Sequence, residues 1–233
     1  MPHSTTASVI STMTPADALR RLKEGNVRFL NNLRQHRDPH FDLNLTKEGQ
    51  WPFAAVVACM DSRVSTEMVF DIGIGDMFSL RIAGNVLTEG IIGSLEYATS
   101  VVGSKLIVIM GHSNCGAVKA ACDHVELGNL TSLLAQVQPA VQLADPDEDV
   151  RNSSNGRFVQ SVADLNVLLA AEQLPQRSPV IRDLVRQGKV GIVSAMYDVA
   201  TGQVRFLEAL SPAPAAAPPS HVPVHHTPCY ATV

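Results

Sequence analysis

The sequence predicts an α/β fold: a mainly parallel central sheet flanked by helices, with an N-terminal helical arm and an antiparallel edge hairpin. Residues 53–60 (FAAVVACM) and 105–111 (KLIVIMG) are continuously apolar, which is typical of strands buried on both faces of a parallel sheet. Helical patterns separate these runs, as expected where helices connect parallel strands. Since 45% of the 233 residues are hydrophobic, the chain can form one large domain with a full core, or two small ones.

The first predicted elements are the helical arm and a loop. In residues 14–34, Thr14 is a suitable N-cap, Pro15 occupies the first helical position, and apolar residues recur at helical spacing. Gly25 weakens the helical pattern at its middle. Residues 36–52 are polar and interrupted by proline and glycine, which predicts a loop.

Strands and helices then alternate along the chain. After the strand at 53–60, the predicted elements are a strand at 77–83, a helix at 89–103, a strand at 105–111 and a helix at 114–127. This order favours a sheet whose neighbouring strands are parallel.

The last part of the predicted domain is helical and ends in a hairpin. Two helical stretches, 130–143 and 157–187, come first, and the second is broken by Pro175 and Pro179. The hairpin has strands at Val190–Val199 and Val204–Leu210 around a turn at Thr201 and Gly202. It adds the antiparallel edge.

Three parts are therefore expected: a flexible N-terminus (1–13), one folded domain (14–210) and a Pro/Ala-rich tail (211–233), which is expected to be disordered. Residues 1–13 lack the features of a secretory signal, and no apolar run approaches the roughly 20 residues of a spanning helix. Four scattered cysteines do not suit a disulfide framework. These features predict a cytoplasmic protein.

Charge and aromatic content narrow the range of partners. The formal net charge is −4, charges of both signs are mixed, and aromatic residues make up only 5% of the chain. This composition disfavours binding to nucleic acid or to an anionic membrane surface. A small-molecule substrate is the more natural expectation.

Three residues of metal-binding type lie at the ends of two predicted strands. Cys59 ends the first strand, whereas His112 and Cys115 follow the third. Since ligands of parallel α/β sheets bind just beyond the carboxyl ends of strands, these side chains can converge. Two thiolates and an imidazole suit Zn²⁺, and a site with three protein ligands is the catalytic pattern rather than the structural one.

Asp61 and Arg63 follow Cys59 at alternate positions. In an extended segment, residues two apart face the same side, so the pair can form a bidentate bond that keeps Asp61 ionised and oriented. Asp61 is then either a fourth metal ligand or the hydrogen-bond acceptor for a metal-bound water. A purely structural zinc module has no use for such an oriented carboxylate, which disfavours that alternative.

The combination of CMDSRV (59–64) and GHSNCG (111–116) resembles the beta-class carbonic anhydrases, whose pattern is C-x-D-x-R followed by H-x-x-C. The resemblance covers about residues 15–210. It includes the stretches EGNVRF, GQWP, GDMFSLRIAGN, SLEYA and YDVATG.

This resemblance implies zinc-dependent, reversible hydration of carbon dioxide to bicarbonate and a proton, through a zinc-bound hydroxide oriented by an Asp–Arg dyad. Cys59, His112 and Cys115 match the zinc ligands, and Asp61 and Arg63 match the dyad. An alternative activity on the same site is hydrolysis of carbonyl sulfide or carbon disulfide, which relatives carry out.

Further residues match the family's substrate site. Gln50 matches a glutamine that hydrogen-bonds the substrate, and Phe78 and Tyr97 match aromatic positions that line the cleft. Gly116 matches a glycine whose backbone N–H faces the site, at a predicted helix start that favours anions such as bicarbonate.

The resemblance also implies an assembly and a functional subgroup. The family forms homodimers or dimer-based homotetramers with sites built from both subunits, although the 14–34 helix fits packing within its own chain equally well. Members regulated by bicarbonate have a tryptophan where this chain has Val56, so the accessible subgroup, with water on the zinc, is expected. Arg81 matches an arginine of the regulatory pocket and is alternatively expected to pair with a carboxylate.

Overall fold

The computed structural model describes residues 5–207, and it confirms the predicted α/β class. Its five strands are β1 Ala54–Ala58, β2 Met77–Arg81, β3 Leu106–His112, β4 Gly191–Tyr197 and β5 Val204–Leu207. They form one sheet in the order β2-β1-β3-β4-β5. The first four strands are parallel to their neighbours, and β5 is antiparallel to β4. The predicted edge hairpin is therefore present.

Helices flank this sheet. Within residues 5–207 they are α1 Ala7–Thr12, α2 Pro15–Leu30, α3 Pro39–Thr46, α4 Thr66–Val69, α5 Glu89–Glu96, α6 Gly116–Cys122, α7 Gly128–Leu134, α8 Gln138–Leu143, α9 Gly156–Arg177 and α10 Pro179–Arg186. A 3₁₀ turn at Ala83–Asn85 follows β2, and α5 continues as a π-helical turn at Tyr97–Val101. Among the helices of this described part, none is both long and apolar enough to cross a lipid bilayer. The tail predicted at 211–233 lies outside the described residues.

Two helices occupy segments that were expected to be a loop or flexible. The loop prediction for 36–52 is wrong in part, because α3 lies within it. Asp38 accepts hydrogen bonds from the first backbone N–H groups of α3, and Pro39 begins the helix, so local capping outweighs the polar composition. The other unpredicted helix, α1, lies in the segment expected to be flexible, where Thr5 donates to the buried Asp76 through its hydroxyl.

The predicted N-terminal helix is present as α2, and the packing of this helix explains why it contains Gly25. Thr14 is the N-cap, as predicted, and it forms a capping box with Asp17; the helix ends at Leu30 rather than at residue 34. A Cβ added to Gly25 would lie 1.8 Å from the carbonyl oxygen of Phe70. Gly25 therefore lowers helix propensity but permits close packing.

Smaller differences concern helix ends. The predicted 157–187 helix is two helices, α9 and α10, divided at Ser178 rather than broken at Pro175. Pro175 lies inside the last turn of α9, where only one intrahelical hydrogen bond is lost. Pro179 occupies the first position of α10, with Ser178 as its N-cap.

The sheet separates two apolar layers. Every residue of β1 and β3 is buried, as their continuous apolarity predicted. On β3, Ile107 and Ile109 face the layer that includes α9, whereas Val108 and Met110 face the layer that includes α2. Because β1 and β3 are clamped on both faces, their carboxyl ends are held in fixed positions.

Candidate metal centre

The metal-binding side chains meet at the carboxyl end of the sheet. Ala58, the last residue of β1, pairs with Met110 of β3, which brings Cys59 beside the end of β3 at His112. Asn114 has a φ of 56°, a left-handed conformation that asparagine tolerates, and the chain then enters α6 with Cys115 as its N-cap. The ligand atoms of the three side chains lie within 4.8 Å of one another, and all three residues are buried.

The residues present fit a bound metal ion. His112 Nε2 is buried and has no hydrogen-bond partner in the described structure, although buried polar atoms are normally satisfied. His112 Nδ1 lies 3.0 Å from the carbonyl oxygen of Ser113, so Nδ1–H donates there and Nε2 keeps a free lone pair. The Cys59 and Cys115 sulfur atoms are 3.9 Å apart. Two thiolates bound tetrahedrally at about 2.3 Å from one zinc ion would be about 3.8 Å apart.

The two thiols influence each other's proton affinity. The hydrogen bond from Cys115 lowers the pKa of Cys59 to about 4. The same hydrogen bond, together with burial, raises the pKa of Cys115 above its usual range. The shared hydrogen bond thus favours the thiolate form, which binds metal, on one sulfur of the pair.

Asp61 and Arg63 form the predicted bidentate pair beside this cluster. Arg63 Nε and Nη2 donate to the two carboxylate oxygens of Asp61 over 2.9 and 2.7 Å. Asp61 Oδ2 lies 3.9 Å from His112 Nε2, so the carboxylate faces the cluster. The hydrogen bonds from Arg63 hold the pKa of Asp61 well below its usual range. Asp61 is therefore ionised in the folded protein near neutral pH.

Arg81 supports the same loop in a way that sequence reasoning missed. Its guanidinium donates to the carbonyl oxygen of Cys59 over 3.1 Å and also to the carbonyl oxygen of Asp61. It makes no ion pair with a carboxylate among residues 5–207. The expected carboxylate partner is therefore not what holds Arg81. Carbonyl acceptors occur at every residue, so the sequence carries no signal for this contact.

The residues predicted to line the substrate site lie in two places. Gly116 adjoins Cys115, and a Cβ added there would meet nothing within 4 Å, so the space beside it is open. Phe78 pairs with Ala55 in the sheet, four residues before Cys59, or about 13 Å along the strand.

Tyr97 lies beside Phe78, with the two rings packed edge-on and their centroids 6.4 Å apart. Both aromatic residues therefore lie toward the amino end of the sheet, away from the cluster of Cys59, His112 and Cys115. Gln50 belongs to the segment that leads into the amino end of β1. Val56, the residue in place of tryptophan, is fully buried within β1.

Comparison with known proteins yields one consistent family. The family profile for carbonic anhydrase matches residues 54–204. Carbonic anhydrase 2 of Mycobacterium tuberculosis is 35% identical over 195 residues, which cover 81% of this chain and 91% of that protein.

Solved structures give the same result. The β-carbonic anhydrase CafA of Aspergillus fumigatus is 28% identical with a TM-score of 0.65, covering 84% of this chain and 92% of that chain. One of two tetrameric β-carbonic anhydrases from Sordaria macrospora is 25% identical with a TM-score of 0.62, covering 73% and 87% of the two chains.

Proposed function

This chain belongs to the β-class carbonic anhydrase family, and we propose that Cys59, His112 and Cys115 hold a catalytic Zn²⁺ ion beside a water-orienting Asp61–Arg63 pair. The reaction is the reversible hydration of carbon dioxide to bicarbonate and a proton. The observation that carries the proposal is the buried, unpartnered Nε2 of His112, which lies in one cluster with two sulfur atoms and faces the carboxylate of Asp61.

The donor set supports zinc in particular. Two sulfur atoms and one imidazole nitrogen are ligands that zinc prefers, whereas Mg²⁺ and Ca²⁺ prefer oxygen. Three protein ligands leave a coordination position open, as in catalytic zinc sites. When bound, zinc lowers the pKa of a coordinated water from 15.7 to about 7, which supplies a nucleophile at neutral pH.

The Asp61–Arg63 pair orients the attacking water. An ionised carboxylate can only accept hydrogen bonds, so a water that donates a hydrogen bond to Asp61 has its oxygen lone pairs free for the carbon of carbon dioxide. Arg63 fixes the direction of Asp61 through two parallel hydrogen bonds. Because Arg63 also lowers the pKa of Asp61, this carboxylate is a poor proton store.

The fourth ligand position is proposed to hold water, as expected for the accessible subgroup. Both oxygens of Asp61 are already bonded by Arg63, and that geometry favours an oriented acceptor over a metal ligand. Val56, which is buried in β1, has no indole N–H, so it cannot offer a regulatory bicarbonate the hydrogen bond that a tryptophan could donate from this position.

The proposed functional unit is a homodimer or a dimer-based homotetramer. In it, Gln50, Phe78 and Tyr97 of one copy line the site of another copy. Tyr97 is 51% exposed and Gln50 is also exposed, so both are accessible to a second chain. A related structure is described as tetrameric. The helix α2 packs on its own core through Ala18 and Leu22, which leaves only its outer face for a partner.

The test is stopped-flow measurement of carbon dioxide hydration from pH 6.5 to 9, with metal content determined on the same sample. We expect about one zinc per chain and activity that persists at pH 7. Zinc without hydration activity at any pH would contradict the proposed reaction. Activity confined to pH values well above 8 would contradict the open fourth position and support Asp61 as a ligand.

Residues 14–210 are proposed as the catalytic domain of a cytoplasmic protein. Deletion of 211–233 should therefore leave the hydration activity intact.

A further inference from the structure

Ser113 connects the metal-binding histidine to the hairpin formed by β4 and β5. Its carbonyl oxygen lies 3.0 Å from His112 Nδ1. Its backbone N–H donates to the carbonyl oxygen of Tyr197 over 2.9 Å. Its hydroxyl oxygen accepts a hydrogen bond from the backbone N–H of Val199 over 3.0 Å. Two hydrogen bonds to the hairpin thus anchor Ser113, the residue whose carbonyl oxygen accepts a hydrogen bond from His112 Nδ1.

The turn of this hairpin, residues 197–202, is internally rigid. Asp198 accepts hydrogen bonds from the backbone N–H groups of Ala200 and Thr201 through Oδ1, as in an Asx turn. Gly202 closes the turn onto the carbonyl oxygen of Asp198 over 2.8 Å. A Cβ at Gly202 would lie 2.8 Å from the ring of Phe29, so the turn is also packed tightly against α2.

Asn26 anchors the far side of the turn. This α2 residue is 3% exposed, and its Nδ2 donates to the carbonyl oxygens of Gly202 and Val69 over 3.0 and 3.1 Å. Its Oδ1 accepts from the backbone N–H of Val204 over 3.0 Å. A buried amide with three hydrogen bonds to two other segments holds those segments in one arrangement, because each lost bond would leave a buried polar group unpaired.

We propose that Ser113 is a positioning residue for the metal-binding histidine, and that Asn26 acts on the same histidine through the turn and Ser113. The anchored carbonyl of Ser113 receives Nδ1–H, which sets the tautomer and ring orientation of His112 and leaves Nε2 available for the metal. Hydrogen-bond partners behind a metal ligand generally tune its affinity in this way. The inference deepens the proposed function and rests on the metal site assigned there.

The first experiment measures Zn²⁺ affinity of the full chain by competition with a colorimetric chelator. Ser113→Ala removes the acceptor for the N–H of Val199, and we expect Zn²⁺ to bind about tenfold more weakly. The visible absorption spectrum of the Co²⁺-substituted variant should change in the same sample, since ring orientation affects the ligand field. Ser113→Thr keeps the hydroxyl and should restore both properties.

The matched control is Ser104→Ala. Ser104 is a buried serine near the other end of β3, and its hydroxyl donates to the carbonyl oxygen of Pro52 over 2.7 Å. The variant loses a comparable hydrogen bond and should be less stable to heat, yet Zn²⁺ affinity should stay within about twofold of the unmodified chain. An equal loss of affinity in both serine variants would overturn the proposal, because it would reflect general destabilisation.

A double-mutant cycle tests the route from Asn26. Asn26→Ala should weaken Zn²⁺ binding severalfold in the unmodified chain and should weaken it little further in the Ser113→Ala background. If the Asn26→Ala variant does not fold, Asn26→Asp, which keeps the acceptor for the N–H of Val204, is used in its place. Equal effects of the Asn26 substitution in both backgrounds would refute transmission through Ser113.

If the unmodified chain binds no Zn²⁺, the proposed metal site itself fails. If it binds Zn²⁺ and Ser113→Ala binds equally well, only the positioning role fails.

Discussion

The two ends of the central sheet differ in how completely one chain builds them. At the carboxyl end, Cys59, His112 and Cys115 are buried together, and the Asp61 carboxylate beside them is held by Arg63. At the amino end, Phe78 lies about the length of a strand from this cluster, and Tyr97, which packs against Phe78, is half exposed. The carboxyl end brings its three ligand-type side chains together within one chain, whereas the amino end is the surface that we propose serves another copy.

The difference shows what a metal site and a substrate pocket each require. A metal ion needs ligand atoms fixed to within tenths of an ångström, which strands packed on both faces provide. A pocket for carbon dioxide needs apolar walls and one hydrogen-bond donor, and these can come from a symmetry-related chain. Substitutions at either end of the sheet test whether the two ends differ in this way.

The largest effect should come from the ligands themselves. Cys59→Ser and His112→Ala should each abolish stoichiometric zinc binding and lower the hydration rate by more than about 100-fold, since even partners behind ligands change activity by about 10–100-fold. Metal analysis and stopped-flow hydration measure the two losses. Cys122→Ala is the control, because that buried cysteine lies outside the cluster, and burial raises its pKa to about 11. If both ligand variants retained zinc, the metal site could not be at the carboxyl end of the sheet.

Asp61→Asn should separate metal binding from catalysis. The amide keeps the shape of the side chain but can donate a hydrogen bond to the water that Asp61 is proposed to orient, so kcat should fall by about 10²–10⁴-fold while most zinc remains bound. Asp183→Asn, which changes an exposed aspartate paired with Arg182, should leave the rate unchanged. Full activity of Asp61→Asn at pH 7 would show that the carboxylate has no orienting role.

Mixing two defective chains tests whether the amino end serves another copy. Gln50→Ala should lower kcat/KM by about tenfold through loss of one hydrogen bond to substrate. If Gln50 acts across the interface, a mixed dimer of Cys59→Ser and Gln50→Ala has one site with intact ligands and an intact glutamine. Refolding the two variants together should then raise activity well above the mean of the separate samples. No increase, with mixed dimers demonstrated by mass, would place Gln50 at the site of its own chain.

The sequence predicted the two ends of the sheet unequally, for physical reasons. The strands at 53–60 and 105–111 were predicted because continuous apolarity follows directly from burial on both faces. The cluster was predicted because both motifs follow such strands. The contacts of Arg81 and Ser113 were missed because their partners are backbone groups, which every residue carries. The helix α3 was missed because capping by Asp38, rather than apolar periodicity, starts it.

The smallest effect on catalysis should come from Asp71, which anchors the loop toward the amino end of β2. Its buried carboxylate pairs with Arg28 and Arg37 over 2.5 and 2.7 Å. Burial acts to raise the pKa of Asp71, but the hydrogen bonds from these arginines outweigh it and hold the pKa below its usual value. A lowered folded-state pKa stabilises the protein above the unfolded pKa of about 3.9, and that stabilisation is lost as the pH falls through the folded-state value.

Asp71→Asn should therefore lower the free energy of unfolding by about 1–3 kcal/mol at pH 7 and equally at pH 5.5. The difference between the two proteins should shrink only below about pH 4. Urea unfolding at several pH values measures this difference, with Asp183→Asn as the exposed control, whose effect should be below about 1 kcal/mol throughout. Because the pair lies far from the metal-binding cluster, zinc content and kcat of the folded variant should be unchanged. A loss of zinc in Asp71→Asn would mean that the two ends of the sheet are coupled, and that the division between them does not hold.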